Sequence, residues 1–561
     1  MDELNLSADT FQQLLERTTK WLTSGIRDLD TGPTTYVDCT HDCPEGYEAA
    51  RHLARRLKED SAPEKGLQLD DVLDVACNVA PHGGLNHASG GFCAFITGGG
   101  LLHTAVADLL SAVMNRYTGL FLGSPGLVQL ESNVISWMAQ IVGYDPQRAF
   151  GCLTSGGSMA NFIGMLVARR HHLSENDLTQ GVVMVTSETH SCIQKGLMMA
   201  GMPQACLCKV ECDSAWRMDP QDLERKIEMQ QQAGRKPFLV VATSGTTNAG
   251  TVDDMRRLSK VCQRHNIWLH SDGVYGAAFN LTKRGQTVLD GLEEADSIAI
   301  DLHKSFFLPH GTGMLLTKER RHLRQAFTVD ENSPYYPDFD ASDVNFYEMS
   351  PELTRSFRGM RIWLPLKLCG LEKWRAALDD RLDWTDYFTR GLRGMADAGV
   401  QVTTEPSLTL LTFRYVPVAT CTTNTSSPSN KRKRSLRDNQ TADSGHDSME
   451  LDSHRLRHLN ISLLKFINRR GNLFLSPTTL PDGKFVIRIC ILHLRLTKSR
   501  LQAGLADVSD GVREIAANLH EHVPPSNDEP SFKRARTSQT NDMSPPLSPQ
   551  PLSAHTPIDI V

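Results

Sequence analysis

Apolar residues follow two spacings along this chain, and the alternation between them sets the expected elements. In the middle, Gly181 to Thr186 (GVVMVT), FLVVAT, IWLHSD and SIAIDL are almost continuously apolar, and polar or amphipathic stretches such as Met255 to His265 separate them. Such runs predict strands buried on both faces, hence a mainly parallel sheet covered by helices. Ahead of them, a long apolar helix follows GFCAFITGGG, and Val128, Leu130, Val134, Ile135 and Met138 share one helical face that reads as core. Leu4 to about Ala80 reads as helices, with Phe11, Leu14, Leu15, Trp21 and Leu22 on one apolar face and Tyr47 to Leu57 forming another. Short amphipathic segments of this kind need a partner surface to bury their apolar side.

After about Leu371 the pattern changes to that of a smaller domain. It predicts a helix from Trp374 to Met395, a strand from Leu408 to Val416, a helix from His454 to Arg470, and strands at Leu473 to Leu475 and Phe485 to Leu492. Thr420 to Ser453 interrupts it with Thr, Ser, Asn and charge, and TTNTSSPSN holds no large apolar side chain. Too little surface can be buried there to offset ordering, so a disordered insertion is expected. The expected organisation is a helical segment at 1–80, a large domain at 81–370, a small domain at 371–521 with its insertion at 420–453, and a disordered tail at 522–561.

Composition narrows the class. The chain has 561 residues, 40% of them hydrophobic, a formal net charge of −6 and 13 cysteines. A weak negative charge gives no global attraction to nucleic acid, which is not expected as a partner. Met1 to Thr10 lacks the apolar core of a secretory signal, and no long uncharged apolar run suggests a membrane span. The cysteines read as reduced thiols of a cytoplasmic protein. Cys39, His41 and Cys43, like Cys206, Cys208 and Cys212, lack the paired spacing of a zinc site, so no metal is expected. Lys431 to Arg434, and Lys533, Arg534 and Arg536, have the composition of nuclear-import signals, although short basic runs are more often simply solvated.

The chemistry-bearing residues cluster at strand ends. SIAIDLHKSFFLPHGTGM ends an apolar strand at Asp301, then presents His303 and Lys304 before a glycine-containing turn leads into a second strand. NIWLHSDGVYG ends another strand at Asp272, 32 residues before the lysine. A lysine to hold an aldehyde and a carboxylate to keep a ring nitrogen protonated are what pyridoxal 5'-phosphate requires. GVVMVT runs into SETHSC, which places His190 at a third strand end, where it can lie flat on the ring. LTSGGSMAN leads into an amphipathic helix; Gly156 and Gly157 permit close backbone approach, Ser158 offers a hydroxyl, and the helix N-terminus favours an anion.

The colinear series TSGGSMAN, SETHS, TSGTTNAGTVDD, HSDGVYG, DLHKSFFLPHGTG, SFRGMR and GKFVIRIC, from about Phe92 to Arg495, resembles the group II pyridoxal-phosphate-dependent amino-acid decarboxylases. That family includes aromatic L-amino-acid, glutamate and cysteine-sulfinate decarboxylases. The resemblance implies the α/β fold of the aspartate aminotransferase type (fold type I), with a helical N-terminal segment, a mainly parallel sheet and a small α+β C-terminal domain. It implies Lys304 as the Schiff-base lysine, Asp272 as partner of the ring nitrogen, and His190 as the stacked imidazole. Gly157, Ser158 and His303 would contact the phosphate region, Thr246 and Val274 would lie at the ring, and Phe95, Ile96 and Thr97 would border the substrate. Tyr335 or Tyr336, with Tyr335 preferred, would be the proton donor on a catalytic loop supplied across a homodimer interface. A basic residue of TRSFRGMR, Arg355 or Arg358, can hold an anion, although a surface ion pair is the default expectation.

The implied reaction is decarboxylation of an L-amino acid to the amine and carbon dioxide. An aromatic substrate is favoured by the apolar Phe92, Phe95 and Ile96. The alternatives are an aldehyde synthase, a decarboxylase of acidic or aliphatic amino acids, and a non-catalytic binding protein on the same fold. The sequence departs from its relatives at Gly273 and Val274, where two alanines are common, at Leu302 in place of proline, and at His310 in place of an aromatic residue.

Overall fold

Each of the apolar runs in the middle of the chain becomes a strand of one sheet. The structure is a computed structural model that describes residues 5–30, 32–36, 44–328, 343–418 and 447–518, all within the unit Met1–His522. Strands β1 (Phe150–Thr154), β2 (Gly181–Val185), β3 (Leu207–Lys209), β4 (Lys236–Thr243), β5 (Trp268–Asp272), β6 (Ser297–Asp301) and β7 (Gly313–Thr317) pair in the order β1-β7-β6-β5-β4-β2-β3. Strands β2 to β6 run parallel, while β7 is antiparallel to both β1 and β6. Only β7 therefore opposes the direction of the other strands. Its reversal follows from the short hairpin that carries Lys304, because parallel neighbours need a long crossover and this connection has none.

Strands β1, β2, β5, β6 and β7 are buried at every position. Continuous apolar sequence is the corollary of helices on both faces. The helix Gly157–His172 packs on the sheet through Ala160, Ile163 and Val167, and the helix Pro125–Ile141 buries Val128, Val134, Ile135 and Met138. A second core lies over an antiparallel sheet of β8 (Val400–Thr404), β9 (Leu410–Tyr415), β10 (Ser476–Thr479) and β11 (Phe485–Cys490), ordered β10-β11-β9-β8. Helices Asp447–Arg470 and Lys498–Ala517 contribute Leu459, Leu463, Ile467, Leu501, Val508 and Ile515 to that core.

Several expected elements are corrected here. The helix expected from Trp374 is present: the span Met360–Arg393 is two helices that meet at a kink at Gly370, whose φ of 73° is outside helical space, and the second of them carries Trp374. The helix expected from His454 starts at Asp447, inside the stretch read as insertion. Leu473 to Leu475 is not a strand: Phe474 makes a single bridge to Phe92, and the strand follows at Ser476. Residues 419–446 of the insertion and the tail from 519 lie outside the described residues, as do Cys39, His41 and Cys43.

Arg355 departs from the expected surface pair. Its side chain is buried and paired with Glu131, which is fully buried in the helix Pro125–Ile141, and its guanidinium lies 4.5 Å over the Phe346 ring. Arg358 pairs with Glu352 at 2.6 Å and reaches the Leu153 carbonyl. Removing one member of a buried pair strands the other charge, so Glu131→Ala is expected to lower unfolding stability by about 3 to 5 kcal/mol. Denaturant titration measures this. A loss no larger than an exposed pair gives would refute the structural role, and apolar replacement of both partners should recover most of the stability.

Candidate active site

Because β1 and β2 to β6 share one direction, their carboxyl ends open on the same edge, where ligands of open α/β sheets bind. Lys304 follows β6 by three residues, in a turn held by Lys304 N–H to Asp301 O at 3.1 Å, Phe307 N–H to Lys304 O at 3.0 Å and His303 N–H to Thr312 O at 3.1 Å. Its Nζ lies 3.8 Å from Asp301 Oδ2, while His303 Nδ1 lies 2.8 Å from Asp301 Oδ1, a contact that becomes an ion pair on protonation. Asp272 ends β5 and is 2% exposed. Burial pushes its carboxyl above the usual range; Lys304, His190 and the Asn161 side chain oppose that rise.

His190 caps the helix Ser191–Met199, with Nδ1 accepting from Cys192 N–H at 3.2 Å. In the neutral ring this leaves the proton on Nε2. Burial lowers the pKa of His190, Asp272 raises it and Lys304 lowers it, so the ring is neutral at neutral pH. The same three residues thus feel one another's charge. Chain folding has brought together positions 190, 272 and 304 from three strand ends.

The glycine turn after β1 delivers the helix Gly157–His172 to this edge. A Cβ at Gly157 would lie 2.5 Å from Val274 Cγ1 and 3.0 Å from Asp301 Oδ2. The helix start is therefore seated directly on Val274, just after β5, and on Asp301, the last residue of β6, with Ser158 exposed beside it. Thr246, beyond β4, is buried, and its hydroxyl bonds to that of Thr251 at 3.0 Å.

The segment before these strands closes on the lysine turn. A Cβ at Gly98 would come within 2.3 Å of the Lys304 carbonyl oxygen, and Leu101 N–H donates to Phe307 O at 2.7 Å. In that segment Phe95 is 52% exposed, Ile96 is half-buried, and Thr97 is buried with its hydroxyl on Ala94 O at 3.5 Å. His87 stacks on Phe95 at 5.9 Å between ring centroids and meets His310 at 6.0 Å, and His310 meets His303 at 5.2 Å. Tyr335 and Tyr336 lie outside the described residues.

Two participants escaped the sequence reading. Arg488, 4% exposed on β11, donates from Nε to Thr247 O at 2.7 Å and from Nη1 to Phe95 O at 2.8 Å, while its Nη2 has no hydrogen-bond partner among the described residues. The available signal was a charge in the otherwise apolar VIRIC, since a fully buried arginine is rare without a partner. Asn161, in the first turns of the glycine-headed helix, closes the motif TSGGSMAN, where it was given no role.

These residues suit pyridoxal phosphate on structural grounds: a helix N-terminus on a glycine too tightly seated to carry a side chain, a buried carboxylate, and a primary amine on one edge. The sheet and its edge define a pyridoxal-phosphate enzyme of fold type I. More narrowly, residues 51–416 match the pyridoxal-dependent decarboxylase conserved domain, and the chain belongs to that family. It is 29% identical over 522 residues to the aromatic-L-amino-acid decarboxylase of Bacillus atrophaeus, covering 92% of this chain and 98% of that protein. It is 26% identical to the phenylacetaldehyde synthase of Arabidopsis thaliana, over 83% of this chain and 90% of that one. The solved structure of Oryza sativa TDC with PLP and tryptamine superposes with a TM-score of 0.77 at 19% identity, covering 91% of this chain and 99% of the other. The protein is a pyridoxal-phosphate-dependent carboxy-lyase acting on an amino acid.

The seating of Gly157 yields a test. Gly157→Ala forces a methyl group into Val274, and if overpacking of about 1 to 3 kcal/mol falls on the cofactor-binding conformation, the cofactor Kd rises roughly 5- to 150-fold. Titration of the apoenzyme with pyridoxal phosphate measures it. Adding Val274→Ala should restore part of the affinity; equal affinity in wild type and Gly157→Ala would show that the close contact is not maintained.

Proposed function

We propose that this enzyme decarboxylates an aromatic L-amino acid to its amine, with Lys304 as the residue that holds the cofactor. The observation that carries this reading is the closure of the Phe95–Gly98 segment on the backbone of the Lys304 turn, a segment whose exposed Phe95 ring stacks with the His87 imidazole. Aromatic faces of that kind favour a flat apolar side chain. The name of the Bacillus atrophaeus relative supports the same substrate class.

In this reading the first residues of the helix Gly157–His172, with Ser158 and His303, hold the cofactor phosphate, and Thr246 and Val274 flank its ring. Bound there, pyridoxal phosphate supplies an electron sink for the pair left behind when carbon dioxide departs. Asp272 keeps the proton on the ring nitrogen, and the neutral His190 lies against the ring face. The Arg488 guanidinium, with Nη2 unused among the described residues, binds a carboxylate in the space between Phe95 and Thr247. Tyr335 or Tyr336 would deliver the proton to Cα of the product, and Lys304 Nζ would be the amine that holds the cofactor between turnovers.

The working unit we propose is a homodimer. The helix His103–Met114 exposes Val106 at 54%, Leu110 at 43% and Val113 at 61%, and the helix Ala8–Asp28 exposes Leu22 and Ile26. Contiguous apolar surface of this kind marks an interface. We place the enzyme in the cytoplasm, a setting consistent with the free thiols at all ten described cysteines. No described helix is long and apolar enough to cross a membrane.

Purified enzyme given a panel of L-amino acids is expected to release amine and carbon dioxide from aromatic members, and Lys304→Ala to release neither. Aldehyde with ammonia and peroxide as the main products, or preference for acidic substrates, would overturn the reading. Of Tyr335→Phe and Tyr336→Phe, one should divert product from amine to aldehyde. Arg488→Gln, losing a hydrogen bond to a charged group, should raise KM about ten- to a hundredfold.

A further inference from the structure

The segment that closes on the lysine turn is also gripped by the small domain. Cys490 N–H, at the end of β11, donates to Cys93 O at 2.9 Å, and in the chain leaving β11 Leu494 N–H donates to Gly98 O at 3.1 Å. Side chains take further carbonyls. Arg488 donates to Phe95 O at 2.8 Å, and the Arg495 guanidinium donates from Nη2 to Gly100 O at 2.7 Å and from Nη1 to Gly99 O. Gly99 and Gly100 have φ of 94° and 73°, left-handed values that glycine adopts without strain, and their turn presents two successive carbonyls to that one guanidinium. A Cβ on Gly99 would lie 2.6 Å from His493 Cε1, so the turn is also seated on the His493 ring.

The proton of His493 has one consistent place. The residue is fully buried, and burial holds its pKa down at about 3, so the ring is neutral. Nδ1 accepts from Arg495 N–H at 3.0 Å, and a backbone N–H can only donate. The ring proton is therefore on Nε2, 3.1 Å from His87 O, which can only accept. The imidazole thus ties the exit of β11 to His87, whose own ring packs on Phe92 at 4.6 Å and stacks on Phe95 at 5.9 Å between centroids. Arg381, 4% exposed in the second helix of the span Met360–Arg393, donates from Nε to His493 O at 3.1 Å and from Nη2 to Leu494 O at 2.7 Å. The grip is itself braced.

We infer that His493 and Arg495 are positioning residues of the substrate site, a clamp at the exit of β11 that holds His87 and the Phe95–Leu101 segment in the conformation that receives the substrate side chain. This rests on the reading of Phe95, Ile96 and Thr97 as the substrate border. The lysine turn meets the segment through Leu101 N–H on Phe307 O and the close approach at Gly98, while the small-domain donors hold its carbonyls. Losing a clamp bond lowers the fraction of enzyme whose border is in place, and apparent substrate affinity falls with that fraction. Gly157, Asp272 and Lys304 keep their own partners, so the cofactor does not feel the loss. Neither His493 nor Arg495 needs to touch substrate.

The test compares full-length wild type with His493→Leu, His493→Gln and Arg495→Lys. Hydrogen exchange read by mass spectrometry reports the clamp itself: the peptide carrying Leu101 should exchange about tenfold faster in His493→Leu than in wild type, and near the wild-type rate in His493→Gln, whose amide can still donate to His87 O. Kinetics with an aromatic amino acid report the consequence. His493→Leu, and Arg495→Lys, whose ammonium lacks the two-pronged fork, should raise KM about three- to tenfold, with a smaller change in kcat and a cofactor Kd within about twofold of wild type. An unchanged KM in both would overturn the inference, as would a cofactor Kd that rises as far as KM, or an equal effect of Leu and Gln at 493. Failure of wild type to decarboxylate any aromatic amino acid would instead overturn the reading of the border, and the exchange rates would still decide the clamp. Should the variants fail to fold, wild type alone suffices: the amides of Leu494 and Arg495 should be as protected as those of β11, and rapid exchange there refutes the clamp.

Discussion

Asp272 is a carboxylate taken out of water at the end of a buried strand, and much of the site is arranged around the free energy that this burial costs. Lys304 opposes the cost through its charge, and His190 and the Asn161 side chain are further groups that hold the carboxyl down. Each reaches it from a different element: the β6–β7 turn, the end of β2, and the glycine-headed helix. The carboxylate is thus the point at which the sheet register, the helix docking and the lysine turn must agree. A buried charge with several partners is a costly arrangement for stability alone. A ligand carrying a positive charge at that position gives it a purpose.

The reversed strand β7 explains why the lysine is so well defined. A parallel successor to β6 would need a crossover, and Lys304 would then stand at the mouth of a long connection. The hairpin instead returns within a few residues, with β7 pairing to both β6 and β1. The turn between the strands is held by its own backbone bonds and by the Phe95–Gly98 segment lying on it. The amine, the start of the helix Gly157–His172 and the Phe95 segment are consequently referenced to one short stretch of chain.

The large sheet was readable because strands buried on both faces leave continuous apolar runs, and three of the runs lead into the candidate residues: Asp272 directly, Lys304 and His190 a few positions on. Glycine before an amphipathic helix marked the candidate phosphate turn for the same local reason. The small domain was less legible. Strands β8 and β10 are short and half-exposed, so VQVTT and SPTT carry no strong pattern, and the apolar Leu473 to Leu475 was taken for the strand that begins at Ser476. Arg355 was misplaced to the surface because nothing local in TRSFRGMR announces Glu131, more than two hundred residues away. Asn161, Arg488 and His493 are invisible for a related reason: their meaning comes from partners across strands and helices, and a neutral histidine inside ILHLRL reads simply as the residue after a strand.

The central claim is that Lys304 is the residue on which the cofactor is held. Borohydride reduction of the purified enzyme in the presence of pyridoxal phosphate, followed by peptide mapping, tests it most directly. The pyridoxyl mass is expected on the peptide containing Lys304, and it should vanish in Lys304→Ala. A stable label on another lysine, or no label at saturating cofactor, would contradict the assignment.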